Sequence, residues 1–132
     1  MENIKTLAEY RFEKASNCLK ASKTAIESDD YFTAANRSYY AVFNAIRCIL
    51  ALRQVDFKSH GDVIGYFRRE FVKTPIFPKD MSDIIGSLFD VRNKCDYDDF
   101  YIVIKEDVRS QYFSAEYFLC EIRKYLDQQA EI

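Results

Sequence analysis

The chain has no tryptophan, one histidine, two prolines and three glycines in 132 residues. So few prolines and glycines leave room for few tight turns. That disfavours a fold of many short strands and favours a few long helices. His60 is the only histidine, and Cys18, Cys48, Cys95 and Cys120 include no Cys-x-x-Cys pair. A zinc site is therefore not expected. Gly61, Gly65 and Gly86 stand apart from one another, so there is no glycine-rich phosphate loop. The Glu-x-x-His pairs of a di-iron bundle are missing, and no Ser-His-Asp arrangement can be read. No apolar run approaches the ~20 residues that a membrane span needs. The start, Met1-Glu2-Asn3-Ile4-Lys5, has no basic segment followed by an apolar one. The expectation is a cytoplasmic protein with reduced thiols, no metal, no cofactor and no membrane contact.

Net charge is also small, at −2. This gives no global attraction to nucleic acid or to an anionic membrane, although a local basic face is compatible with it.

What is present is apolar and periodic. Apolar residues make up 48% of the chain, enough for one domain, residues 1–132, with a real core. They recur at three- and four-residue steps over about 3–27, 31–52, 60–72, 81–97 and 106–127, which predicts an all-α, up-and-down bundle of five helices. Asp29 or Asp30 can cap the second helix and Ser59 the third, and Asp80 with Asp83 starts the fourth. Cys18, Cys48 and Cys120 fall among the apolar positions. Ile76 and Phe77 are expected to tuck against the bundle. The run Phe100–Ile104 looks strand-like but has nothing to pair with, so it reads as an extended connection. Residues 128–132 are expected to fray.

The second segment is apolar on two sides. Phe32, Ala35, Tyr39, Val42, Phe43, Ile46 and Leu50 form one face. The small residues Ala34, Ala41, Ala45 and Cys48, with Leu52, form another. A helix of this kind is central. Its leftover residues, Asn36, Arg37, Tyr40, Asn44 and Arg47, make a narrow polar stripe that must face water, a partner or a ligand. In the fourth segment Arg92 falls inside the apolar arc of Met81, Ile84, Ile85, Leu88, Val91 and Cys95. Asn93, Asp96 and Tyr97 follow it. By position, Arg92 and Asp96 form an i,i+4 pair worth about 0.3–0.5 kcal/mol. His60, at the first turn of the third segment, reads as a semi-buried imidazole bonded to a carbonyl or carboxylate, or else as a ligand contact.

These residues resemble a known family. Arg37-Ser38-Tyr39-Tyr40-Ala41-Val42-Phe43-Asn44-Ala45 is similar to the second-helix signature of small HEPN (higher eukaryotes and prokaryotes nucleotide-binding) domains. The likeness continues through Ser59–Ile64, Phe71–Thr74, Leu88–Arg92, Asp96–Asp99 and Tyr101–Val103, and covers about residues 5 to 127. The resemblance implies a helical bundle that dimerises through its second and fourth helices. It also implies either a metal-independent ribonuclease toxin or one half of a two-component module with a small nucleotidyltransferase. The family's ribonuclease motif is Arg, usually followed by a polar residue, with a histidine a few residues later. Arg92-Asn93 matches its first half, but Tyr97, Asp98 and Asp99 stand where the histidine would fall.

The expectation is therefore a nucleotide- or RNA-binding module, catalytically weak or inactive, that pairs with a nucleotidyltransferase. Its ligand residues would be Arg92, Asn93, Arg37, Tyr40, Asn44, Arg47 and His60. One alternative is a ribonuclease using Arg92 with Asp96, Tyr97 or His60. Another is a purely structural dimeric adaptor. Tyr97, a phenol near a helix end, is also a candidate acceptor of a nucleotidyl group from the partner.

Overall fold

The computed structural model describes residues 2–130. Five α-helices follow in order: α1 (Glu2–Glu27), α2 (Tyr31–Leu52), α3 (His60–Phe67), α4 (Asp80–Tyr97) and α5 (Lys105–Ala130). This is the all-α bundle that the periodicity predicts. Within the third segment the α-helix stops at Phe67, and Arg68–Lys73 is π-helical. The wider turn lets Phe67, Phe71 and Val72 all face inward, with the Phe67 and Phe71 rings stacked at 5.6 Å. Helix α5 continues through Gln128 and Gln129, where fraying is expected, and residues 131 and 132 lie outside the described ones.

Helix α2 is the central element and touches all four other α-helices. Its small-residue face, Ala34, Ala41, Ala45 and Cys48, is fully buried. Ala8, Ala15 and Ser22 of α1 are buried too, so the two backbones approach closely. One polar contact lies inside this seam. Ser22 Oγ donates to the Ala34 carbonyl at 2.9 Å and shares a hydrogen bond with Ser38 Oγ at 2.7 Å. Pairing of this kind is what makes two buried hydroxyls tolerable. The other face, Tyr39, Val42, Phe43, Ile46 and Leu50, joins Phe67, Met81, Ile85, Leu88, Phe118 and Ile122 in the main core. A Leu→Ala change there would cost about 2–5 kcal/mol.

The caps follow the sequence. Asp30 accepts from the Thr33 amide and Ser59 from the Asp62 amide. Asp80 is the first residue of α4, with Asp83 in the same turn, as expected, and Asp80 accepts from the Tyr117 hydroxyl at 3.1 Å. The connection 100–104 is neither helix nor strand and begins in a turn, where the Tyr101 amide donates to the Asp98 carbonyl at 3.2 Å; Val103 is buried and Phe100 and Ile102 are exposed.

Several residues expected against the core lie outside it. Leu7, Phe32 and Ile76 are exposed, and so is Cys120. Phe77 alone of its pair is buried. Phe32 lies in the first turn of α2, and Ile76 lies in the connection before α4. All four cysteines are free. Among the described residues, no helix is long and apolar enough to cross a membrane.

The backbone is left-handed at two non-glycine residues, Asp29 (φ 60°) and Gln54 (φ 57°), each just past the end of a helix. Such positions usually favour glycine, and a side chain there costs about 1 kcal/mol.

Candidate functional site

Arg92 projects from α4 toward α2, because its helix position lies one turn after the buried Leu88. Its guanidinium carbon lies 5.4 Å from the centre of the Tyr39 ring and 5.6 Å from that of Tyr40. Nη2 donates to the Tyr40 hydroxyl at 3.3 Å, and Nη1 to Asn93 Oδ1 at 3.4 Å. Asp96 Oδ2 stands 3.1 Å from Nε. It lies off the direction of the N–H, so this buried donor has a charge partner but no hydrogen-bond acceptor. The side chain retains 19% of its exposure. Arg92 is thus held at the edge of the core by two aromatic rings, with hydrogen-bonding capacity left over.

His60 enters the same place from the start of α3. Its ring stacks on Phe43 at 4.1 Å and meets Tyr40 edge-on at 5.9 Å. Nδ1 shares a hydrogen bond with the Tyr39 hydroxyl at 3.0 Å. The partner is therefore a buried phenol, not the carbonyl or carboxylate expected from sequence. Burial lowers the His60 pKa from its ordinary value, and the positive charges of Arg92 and Arg47 lower it further. The imidazole is thus held neutral near pH 7. Burial pushes the Tyr39 phenol up to about 12, although Arg92 pulls the other way. The hydroxyl therefore stays protonated as a fixed partner for His60.

The rest of the α2 stripe divides. Arg37 stacks on Tyr40 with its guanidinium 5.4 Å from the ring centre, and it donates to Asn36 Oδ1. Tyr40 thus carries a cation from each of two helices. Asn44 donates to the Tyr40 carbonyl and to Cys18 Sγ, so it braces the α1–α2 seam and does not join the Arg92 cluster. Arg47 pairs with Asp56, which Arg11 also approaches. Its charge reaches His60, but its side chain is engaged elsewhere. Tyr97 is 79% exposed and, among the described residues, forms no hydrogen bond or ring contact with the Arg92 cluster. The structure therefore gathers Arg92, Asn93, Asp96, Tyr40 and His60, with Arg37 stacked on the outer ring. Tyr39, Phe43 and Phe89 complete the wall, the last with its ring 5.9 Å from that of Tyr39. Sequence reasoning placed Tyr39 and Phe43 in the core. Only the approach of α3 shows that they hold His60. Among the described residues, no group of His, Cys, Asp and Glu is placed to hold a metal ion.

The HEPN domain profile matches residues 8–125, nearly the whole chain. The chain belongs to the HEPN domain family. A Thermotoga maritima relative, "UPF0332 protein", is 30% identical over 127 residues, which is 96% of each chain. Two relatives from Methanocaldococcus jannaschii carry the name "Putative toxin". One is 30% identical over 89% of this chain and 80% of its own length. The other is 28% identical over 96% of this chain and 94% of its own. The HEPN match spans every residue of the Arg92 cluster, so the cluster lies within the family's shared fold and not in an added segment.

Proposed function

We propose that this HEPN chain is a nucleotide- or RNA-binding module, catalytically weak or inactive, and one half of a two-component, toxin–antitoxin-like system. Its partner would be a small nucleotidyltransferase. One observation carries the binding assignment. The Arg92 guanidinium sits mostly covered against Tyr39 and Tyr40 and has a buried N–H without an aligned acceptor. A phosphate oxygen that displaces the Asp96 carboxylate would supply that acceptor, and the planar fork suits it. The part-exposed Phe89 offers a ring for a base to stack on. The names of the two archaeal relatives support the toxin–antitoxin-like setting. A homodimer would double the site, and exposed Phe89, Phe100 and Ile102 supply apolar surface for such contacts. Equilibrium titration of the wild type with fluorescent nucleotides and short RNA tests the assignment. Binding in the micromolar range supports it, and its absence overturns it.

The position of His60 favours a second reading, a slow metal-independent ribonuclease. A neutral imidazole beside Arg92 is placed to take the proton of an RNA 2′-hydroxyl as that oxygen attacks the adjacent phosphorus. Arg92 would then face the pentavalent phosphate, and the 5′-oxygen would leave. Asp96 and Tyr97 are poorer candidates for the base, one beside Arg92 as its counter-charge and the other outside the cluster. Incubation of pure protein with RNA in EDTA, wild type against His60→Gln, separates the two readings.

A further inference from the structure

A cleft of about 740 Å³ opens between the π-helical segment and the start of α4. Arg68, Arg69, Lys73 and Lys79 line it, against one acid, Asp83. This is a local excess of positive charge in a chain whose net charge is −2. Two of the cations are engaged. Arg69 pairs with Glu70 at 3.1 Å, and Arg68 donates to the Ser82 hydroxyl and carbonyl, each at 3.0 Å. Lys73 and Lys79 form no ion pair among the described residues.

A second depression, about 200 Å³, shares Gly65 and Arg68 with the first and adds Gly61, Gly86 and Phe89. Gly61 follows His60 in the chain, and Phe89 contacts Tyr39. The two depressions thus adjoin to make a groove along the seam of α3 and α4, with the Arg68 side chain reaching across to Ser82 between them, and the smaller one lies beside the aromatic wall of the Arg92 cluster. From Lys79 to Arg92, α4 rises about 20 Å.

All three glycines of the chain line this groove. None has a positive φ, whereas the chain's left-handed positions carry Asp29 and Gln54. Backbone conformation therefore does not require glycine here. Packing does not require it either. A Cβ on Gly65 would meet nothing within 4 Å, one on Gly61 only Ser59 Oγ at 3.9 Å, and one on Gly86 only the flexible Arg68 Nη2 at 3.4 Å. Glycine weakens a helix relative to alanine, and at these positions it leaves open space over the backbone beside the cations.

We infer that the groove binds a single strand of RNA. Lys73 and Lys79 contact its phosphates, the glycine floor lets the strand lie close to the helices, and Phe89 stacks a base. This inference rests on the nucleotide-binding reading of Arg92 and makes its ligand a strand, not a mononucleotide. An acidic protein segment would satisfy the lysines but would leave the Phe89 ring without a base to stack on.

The test is fluorescence anisotropy with a labelled mononucleotide and RNAs of two to eight nucleotides, at several salt concentrations. The proteins are the wild type, the double variant Lys73→Gln/Lys79→Gln, and Gly65→Leu, whose side chain fills the groove where nothing else stands. For the wild type, affinity should rise with RNA length. The double variant should bind the longest RNA about tenfold more weakly, with the slope of log affinity against log salt reduced by about 1.4. Gly65→Leu should lose the length dependence while melting no lower than the wild type. Both variants should bind the mononucleotide as the wild type does. Affinity independent of length, or variants that bind long RNA as tightly as the wild type, would overturn the groove and leave the Arg92 site standing. Binding of neither mononucleotide nor RNA by the wild type would overturn the Arg92 reading and the groove with it. Polyglutamate binding that displaces RNA only through Lys73 and Lys79, with no effect of Gly65→Leu, would assign the cations to an acidic protein instead.

Discussion

Arg92 Nη2 donates a hydrogen bond to the Tyr40 hydroxyl at 3.3 Å, joining α4 to α2 across 52 residues of chain. The same guanidinium lies against the Tyr40 ring. The contact therefore has a polar part and a stacking part, and a conservative substitution separates them. In Tyr40→Phe the ring remains and the acceptor goes. We expect a stability loss of about 0.5–1.5 kcal/mol in thermal melting, the usual value of a part-buried hydrogen bond. Nucleotide affinity should change less than this, because the freed N–H becomes available to phosphate.

Asp96 is the counter-charge of Arg92, at 3.1 Å and without a directed hydrogen bond. Asp96→Asn should change stability by no more than about 0.5 kcal/mol, as for an exposed i,i+4 pair. It should tighten nucleotide binding several-fold, since an anion no longer competes for the guanidinium. Isothermal titration of both proteins checks the two halves of this prediction.

His60 gives a pH signature. Its folded-state pKa is lowered from the ordinary value by burial first, then by Arg92 and Arg47. The unfolded chain therefore binds the proton more readily than the folded one. The contribution of His60 to stability is intact above the ordinary histidine pKa. It falls as pH drops from there to the lowered folded value. The wild type should lose more melting temperature between pH 7.5 and pH 5.5 than His60→Gln does. In an NMR titration, Arg92→Ala should raise the imidazole midpoint.

The helices were legible because stripes at three- and four-residue steps are a local pattern, and the two-faced α2 could be read as central for the same reason. The meeting of His60 with Tyr39 and Phe43 was not legible. It depends on the course of the loop between α2 and α3, and no spacing encodes that course. The three glycines illustrate the same limit. They are isolated in sequence at 61, 65 and 86, yet two antiparallel helices bring them into one groove. The π-helical segment was hidden as well, because Val63, Ile64, Phe67 and Phe71 fit an ordinary helical stripe, and the inward turn of Val72 shows only in the structure. Exposed Phe32 shows that a stripe names a face without saying how far a neighbour covers it.

Gln54 adopts φ 57° just after α2, where glycine carries no Cβ penalty. Gln54→Gly should raise stability by about 0.5 kcal/mol, because relief of strain exceeds the extra freedom of the unfolded chain. Urea denaturation measures this directly. Gln54 lies outside the Arg92 cluster and the groove, so RNA binding should not change.

The guanidinium of Arg92 is the centre of the proposed site, and its geometry matters as much as its charge. Anisotropy titration of a labelled short RNA with wild type, Arg92→Lys and Arg92→Ala at one salt concentration tests this most directly. The expected result is affinity at least tenfold weaker for both variants, because a lysine keeps the charge but loses the fork. Melting temperatures should stay within a few degrees of the wild type. Equal binding by wild type and Arg92→Ala, with both folded, would contradict it.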